Sequence, residues 1–488
     1  MLQKIPGDRV RPVNNATLNP QGDYVLYWMI ATRRVQWNFA LQHAVAQARE
    51  LNRPLVILEA LRCDYSWASD RLHRFILDGM VDNAKALQGA PVLYHPYVEE
   101  VRGAGKGLLE TLAEGACLIV TDDYPAFFLP RMINAAGRRL GVRLDAVDSN
   151  GLLPLAAGPQ AYPSAYAFRR FLQKNLPGHL SDMPRENPLE DSGLPTLKTL
   201  PQSILTRWPD ASARLAQSGH AAVKKLPLDH GVKIVDAQGG SAAARQKLDF
   251  FLDERLPVYA EQRNQPERSV TSELSAYLHF GHMSTHEIFT RLAAREDWDF
   301  GRLGPQSNGQ RAGWWGMSQN AEAWLDQLVT WRELGFNFCF HRRDYDRYES
   351  LPDWARATLE QHEEDPRPYL YNQEEFEQAR THDALWNAAQ RQLLREGTIH
   401  NYLRMLWGKK ILEWSRTPRE ALAVMIELNN KYALDGRDPN STSGIFWCLG
   451  RYDRPWPQRP IFGKIRFMSS ENTARKFKVG TYLHRFAG

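Results

Sequence analysis

Residues 24–30 form a short, almost wholly apolar run, which predicts a strand buried on both faces. In residues 35–50 the apolar positions Val35, Phe39, Ala40, Ala44 and Ala48 recur at helical spacing, and the pattern breaks at Asn52-Arg53-Pro54. Residues 55–58 and 117–121 predict further strands, and 142–147 a less sharply patterned one. Strand–helix alternation at these intervals predicts an α/β domain over residues 1–150, with a parallel sheet covered by helices. No G-x-G-x-x-G follows the first strand, so its turn is not expected to hold a pyrophosphate in the usual way.

From 151 to 163 the chain turns to Gly, Pro and Ala, and residues 177–232 are proline-rich without sustained periodicity. Residues 151–240 therefore read as an interdomain linker region. From 241 the pattern is largely helical, with candidate helices at 242–256, 272–292, 320–333, 382–396 and 399–414. Residues 430–488 read as turns and loops, rich in Gly and Pro. The expected second domain, 241–488, is all-α, and no internal repeat interrupts it.

Composition sharpens this division. Of 15 Trp, four lie before residue 241 and eleven after it, so the need for large π surfaces belongs to the helical half. The net charge of +5 is mild, but residues 451–488 carry nine Lys/Arg against Asp453 and Glu471. Such a stretch attracts a polyanion or is a solvated tail. Four cysteines with no CxxC pair argue against a disulfide framework and against a metal site, and fit a reducing compartment. No leader pattern and no apolar run near ~20 residues is present, so a cytoplasmic protein without a membrane anchor is expected.

Four constellations offer chemistry. Trp407 and Trp414 are nearly two turns apart on one predicted helix, behind Arg404 and Met405. They form a core stripe, an electron-hopping ladder or a stacking platform, and spacing does not separate these. Gln327 and Trp331 are four apart, which suits either edge-and-face recognition of a planar heterocycle or a buried packing pair. Thr271-Ser272-Glu273-Leu274-Ser275 opens a predicted helix, where hydroxyls cap free N–H groups or hold a phosphate. Residues 429–440, dense in Asn, Asp and Gly, form a surface turn or a ligand-facing one.

Longer ordered runs carry more. They include Arg9-Val10-Arg11, Tyr24-Val25-Leu26-Tyr27-Trp28-Met29, Leu274-Ser275-Ala276-Tyr277-Leu278-His279-Phe280-Gly281 and Thr381-His382-Asp383-Ala384-Leu385-Trp386-Asn387. Further along come Trp407-Gly408-Lys409-Lys410-Ile411-Leu412-Glu413-Trp414, Leu434-Asp435-Gly436-Arg437-Asp438-Pro439-Asn440 and Arg459-Pro460-Ile461-Phe462-Gly463-Lys464-Ile465-Arg466. Over nearly its whole length the chain resembles the class II cyclobutane pyrimidine dimer photolyases, of the photolyase/cryptochrome superfamily.

The resemblance implies a Rossmann-like antenna domain over 1–150 and a helical FAD-binding catalytic domain over 241–488. It implies a DNA-repair lyase in which light-excited FADH⁻ gives an electron to a pyrimidine dimer flipped out of DNA and then regains it. Flipping costs a few kcal/mol, which stacking of ~1–3 kcal/mol per base offsets. By the same resemblance Tyr259, Thr271, Ser272, Leu274 and Ser275 bind the FAD phosphates, Arg404 and Asp435 lie against the isoalloxazine edge, and Asn429 faces flavin N5. Trp331 and Trp447 hold the dimer with Met405 at its side. Trp386, Trp407 and Trp414 re-reduce the flavin, with Tyr371 as terminal donor. Arg454 and Trp456 enter the gap left by flipping, and Arg459, Lys464 and Arg466 meet phosphates. A deazaflavin or folate antenna, a monomer, and a cytoplasmic enzyme gathered on nucleoid DNA where it is damaged complete the implied picture.

Two departures stand out. Most of the family has Glu where this chain has Gln327, which keeps a hydrogen-bonding amide but supplies no proton. The segment between Trp447 and Trp456 is about one residue shorter than usual, which bears on the placement of Arg454 and Trp456. The rival within the fold is a cryptochrome-like photoreceptor without repair activity. Both dimer-facing indoles, Met405 and the basic C-terminal segment argue against it. A nucleic-acid-binding protein that has lost its chemistry is opposed by intact Arg404, Asn429 and Asp435.

Overall fold

The computed structural model describes residues 4–217 and 219–488. The chain forms two compact units that interleave in sequence. One extends to Pro159 and adds residues 175–249 and 273–298, and the other comprises residues 160–174, 250–272 and 299–488.

The first unit is built on a six-stranded sheet. Its strands are β1 (Val10–Pro12), β2 (Tyr24–Met29), β3 (Leu55–Leu61), β4 (Val92–Val98), β5 (Ala116–Asp122) and β6 (Leu144–Val147), in the order β1-β6-β5-β2-β3-β4. Five strands are parallel, and β1 joins the β6 edge antiparallel, so the expected parallel sheet is mixed at that edge. Every residue of β2 is buried, as its unbroken apolar run predicts for a central strand. Two strands escape the sequence pattern. β4 carries Pro96, which an edge strand tolerates because one side of its ladder is unpaired. β1 is three residues long and is anchored by side chains. Arg9 is buried and donates to the carbonyls of Gly151 and Leu152 at 3.2 and 2.7 Å, while Arg11 is paired with Asp123 at 2.9 Å.

The turn after β2 explains the missing glycine fingerprint. The Asp122 carboxylate at the end of β5 accepts the backbone N–H groups of Ile30, Ala31 and Thr32 at 2.8–2.9 Å and the Tyr27 hydroxyl at 2.7 Å. Those three N–H groups occupy the place that holds a pyrophosphate in dinucleotide folds. Here an internal anion uses them.

The second unit is helical. Its central helices are Ala384–Glu396, Asn401–Trp414, Pro418–Tyr432 and Pro439–Cys448, packed on one another around an apolar core. Their starts follow ordinary capping chemistry. Asp383 accepts from Trp386 N–H, Thr417 caps the helix whose first residue is Pro418, and Asp438 accepts from Asn440 N–H. Gly397, at φ 70°, closes Ala384–Glu396 in the left-handed conformation glycine favours.

Three expectations need correction. Residues 418–432 and 439–448 are helices, so the polar run at 429–440 spans the end of one helix, a tight connection at 433–438 and the start of the next rather than the start of a looped tail. The predicted helix 272–292 is two helices, Ser275–His279 and Thr285–Arg295, with Gly281 at φ 73° between them. The predicted helix 320–333 is Gln319–Leu325 followed by a wider π-helical turn, Asp326–Trp331, before Arg332–His341. A π turn inserts one residue and re-aims side chains, and such turns gather at functional sites.

Candidate active site

The site residues of the helical unit come from adjoining helices. Gln327 and Trp331 sit on the π turn, both half-buried. The helix that continues from it, Arg332–His341, packs against Pro439–Cys448, which carries Trp447. Gly335 makes that approach possible, because a Cβ there would lie 2.8 Å from the Pro439 carbonyl oxygen. Met405 lies on the neighbouring helix Asn401–Trp414, beside Gly444. Trp331, Met405 and Trp447 are all half-buried, so each keeps an accessible edge or face.

Beneath Trp447 lies a feature the sequence reading leaves unassigned. Lys409 is completely buried and donates to the Cys448 carbonyl at 2.7 Å, with its ammonium 4.9 Å from the Trp447 ring. Burial pushes this ammonium down to about 8. The next residue, Lys410, points to a different indole, Trp414, at 5.2 Å, and is paired with Glu413 at 2.8 Å. The run Trp407-Gly408-Lys409-Lys410 contains this signal, but only the fold assigns each lysine its ring.

Arg404 and Asp435 form a two-pronged ion pair at 3.1 and 2.7 Å with both side chains largely buried. Burial works against the guanidinium charge, yet the Asp435 carboxylate outweighs it and raises the pKa of Arg404. The Arg404 Nε–H is buried with no partner among the described residues. An orphaned buried donor is costly unless a ligand accepts from it. Asn429 is buried nearby in sequence, its amide hydrogen-bonded to Ser441 Oγ at 3.0 Å. Gly436 folds the connection back onto the Asn429 carbonyl, where a side chain would not fit. These groups fit the edge of a flavin, which offers acceptors and donors in one plane.

The phosphate candidates have a different geometry from a capped helix. Ser275 begins a helix of only five residues, its preceding residue Leu274 is buried, and no side chain caps it. The expected hydroxyl cap is therefore absent, because Glu273 adopts φ 57° and turns the chain before the helix starts. Ser275 is exposed, while Thr271 and Ser272 are half-buried with no side-chain hydrogen bond among the described residues. The Thr271 carbonyl is held by Arg255 at 2.7 Å, and Tyr259 is buried edge-on against Phe251 at 5.6 Å. Tyr259, Thr271 and Ser272 belong to the helical unit, and Leu274 and Ser275 to the first.

The tryptophans split into two sets. Trp386, Trp407 and Trp414 are all buried, at 0–2% exposure. Trp386 stands in the middle: its indole N–H donates to the Trp407 carbonyl at 3.0 Å, and its ring is 6.0 Å from that of Trp414. Trp414 in turn meets Tyr371 at 5.8 Å, edge to face. All three are core residues, and ring contacts join Trp386 to Trp414 and Trp414 to Tyr371.

The basic segment is a folded platform. The Trp456 N–H donates to the Lys464 carbonyl at 2.8 Å, and Arg459 bridges to Gly463, enclosing a turn whose Ile461 N–H is held by Asp365 at 2.7 Å. Arg454, Arg459, Lys464 and Arg466 are exposed and form no ion pair among the described residues. Arg466 lies 5.6 Å from the Trp447 ring and 5.1 Å from Trp456, linking the indole of the helical site to the exposed basic turn. Replacing Arg466 by Ala is expected to weaken binding of dimer-containing and undamaged DNA alike, and to reduce the salt slope of binding by about one. Titration at several salt concentrations measures this; an unchanged slope would remove Arg466 from phosphate contact.

Comparison with known proteins agrees with this architecture. The fold matches the crystal structure of a bacterial class III photolyase from Agrobacterium tumefaciens, with a TM-score of 0.67 at 17% identity, over 95% of this chain and 86% of that one. The protein thus has the photolyase fold. No protein-family model matches the sequence. The deoxyribodipyrimidine photo-lyase of Methanothermobacter thermautotrophicus is 32% identical over 486 residues, 99% of both chains. That of Potorous tridactylus is 32% identical over 98% of this chain and 84% of its own, and that of Oryza sativa 33% over 97% and 89%. The chain belongs to the deoxyribodipyrimidine photo-lyase family and is a DNA photorepair enzyme. FAD is the cofactor that this family implies, and damaged DNA the substrate. Among the described residues no helix is long and apolar enough to cross a membrane.

Proposed function

We propose that this enzyme splits cyclobutane pyrimidine dimers held out of the duplex by Trp331 and Trp447, using an electron from reduced FAD bound beside Arg404, Asp435 and Asn429. The observation that carries the reading is the buried Arg404–Asp435 pair with its orphaned Nε, Arg404 standing beside Met405 on a helix packed against that of Trp447 and Asp435 in the turn that precedes the Trp447 helix. When bound and reduced, FAD supplies under light the single electron that opens the cyclobutane ring, and it takes that electron back.

The chain supplies the rest. Arg404 and Asp435 fix a charged, water-poor edge for the isoalloxazine, and the Asn429 amide sets hydrogen bonding near N5. Tyr259, Thr271 and Ser272, all of the helical unit, offer hydroxyls and a buried ring to the adenine and phosphate end. Trp331 and Trp447 present indole faces to the dimer, each worth ~1–3 kcal/mol per stacked base. Lys409, behind the Trp447 ring, and Arg466 place positive charge where the dimer becomes anionic. Arg454 and Trp456 fill the vacated stack while Arg459, Lys464 and Arg466 take phosphates. Tyr371, Trp414, Trp386 and Trp407, in that order, form the route by which electrons reach the cofactor. In functional terms residues 1–150 are the antenna domain for a deazaflavin or folate, 151–240 the linker region and 241–488 the catalytic domain, acting as a monomer in the cytoplasm on damaged DNA.

Gln327 offers the dimer an amide donor in place of a carboxylic acid. Without an acidic proton, it stabilises the dimer's negative charge only through its N–H. Gln327→Glu is therefore expected to raise the quantum yield of splitting with little change in binding. Parallel actinometry of the two proteins on one dimer-containing oligonucleotide tests this; identical yields would remove Gln327 from the mechanism. The functional reading itself predicts a yellow protein that is photoreduced by an added donor and binds dimer DNA in the dark more tightly than undamaged DNA. A colourless protein that cannot be reconstituted with FAD would defeat it, and a yellow one indifferent to dimers would favour a photoreceptor.

A further inference from the structure

Beyond Trp414 the aromatic path reaches the surface through a group that no reading so far assigns. We propose that His382 accepts the phenolic proton of Tyr371 as Tyr371 gives its electron to Trp414, making the outermost step of the relay a coupled electron and proton transfer. This rests on the relay reading above.

The hydrogen bonding supplies a short path for the proton. Tyr371 Oη lies 2.8 Å from His382 Nδ1, and the same oxygen accepts the backbone N–H of His382 at 3.0 Å. The backbone N–H occupies one lone pair of that oxygen, and in the tautomer that carries its hydrogen on Nε2 the phenol's own hydrogen is donated to Nδ1; that tautomer is the one proposed for the resting protein. The neighbouring groups hold this pair in place. The Tyr369 ring stacks on His382 at 3.6 Å with planes 17° apart, the Trp414 ring meets His382 at 4.9 Å, and the Tyr371 backbone N–H donates to the Trp414 carbonyl at 3.1 Å. Trp414 is buried at 2% exposure, whereas His382 is exposed and Tyr369 is 47% exposed.

Energetics favour the transfer. An oxidised Trp414 is a cation buried in an apolar core, beside the ammonium of Lys410. One electron passes from Tyr371 to that indole, which returns to neutral. The Tyr371 O–H bond breaks and an N–H bond forms on His382 Nδ1. The products are a neutral phenoxyl radical, still held by the backbone N–H, and an imidazolium in contact with water. The charge has moved from core to surface, which opposes the return of the electron. A thiolate in solution then supplies one electron, and the proton returns from His382 to the phenol.

The test is flash photolysis of the oxidised holoenzyme, read by transient absorption and freeze-quench EPR rather than by repair. The natural protein is expected to give a neutral tyrosyl signal whose formation slows in D2O. Tyr371→Phe should lose that signal and leave a short-lived indole radical. His382→Phe, a change at an exposed position, should do the same with Tyr371 intact, and added imidazole with His382→Ala should restore the tyrosyl signal. If His382→Phe gives tyrosyl radical at an unchanged rate and isotope effect, the proton-acceptor role is wrong while the relay stands. If Tyr371→Phe leaves the radical spectrum and lifetime unchanged, the relay reading fails as well.

Discussion

Trp386→Phe is expected to reduce photoreduction of the bound flavin to background while leaving repair by the chemically reduced protein intact. Trp386 is fully buried, its indole N–H bonded to the Trp407 backbone carbonyl and its ring 6.0 Å from that of Trp414. No ring contact joins Trp407 to either of the other indoles among the described residues, so its link to Trp414 runs through the Trp386 hydrogen bond, which Phe removes. Phe preserves most of the volume against Phe376, and the fold should survive a loss of about 1–3 kcal/mol from the smaller ring and the lost hydrogen bond. Bleaching of the flavin band under blue light with a thiol donor measures the first effect, and dimer splitting after dithionite reduction the second. Normal bleaching would show that electrons take another route.

Asp435→Ala is expected to yield a protein that is both colourless and strongly destabilised. Removing one partner of a buried pair leaves an uncompensated charge, which costs about 3–5 kcal/mol. Arg404 would then be buried with both its carboxylate and its Nε partner missing. Because loss of fold also loses flavin, the double variant Arg404→Met/Asp435→Leu separates the two effects. An apolar pair of similar volume should recover much of the stability but not the colour. Denaturation midpoints and the flavin-to-protein absorbance ratio report the two independently. A yellow double variant would show that the pair serves packing alone.

The sequence and the structure divide the explanation unevenly. β2 was readable because a strand buried on both faces writes an unbroken apolar run. β4 was not, because Pro96 and half-buried positions at a sheet edge blur the same signal. The helices Pro418–Tyr432 and Pro439–Cys448 were hidden by Asn, Asp and Gly residues at their facing ends and in the turn between them, whose polarity serves hydrogen bonds such as Asn429–Ser441 rather than exposure. Spacing placed Gln327 and Trp331 side by side, but the π turn that presents them depends on tertiary packing and leaves no local pattern. Roles for individual residues came from motif resemblance. Periodicity alone left Trp407 and Trp414 as either core or conduit; the structure places both in the core, and the conduit is the reading proposed for them. His382 and Lys409 lie inside the runs 381–387 and 407–414, yet only their partners in space, Tyr371 and Trp447, suggest what they do.

The central claim is that reduced flavin in the helical unit lends its electron to a dimer held at Trp331 and Trp447. Blue-light illumination of the anaerobic, chemically reduced protein with excess dimer-containing oligonucleotide tests it most directly, following pyrimidine and flavin absorbance together. The account predicts many dimers split per protein with the flavin still reduced at the end. Dimers that bind but stay intact, or splitting that stops at one dimer per flavin as the flavin is oxidised, would contradict it.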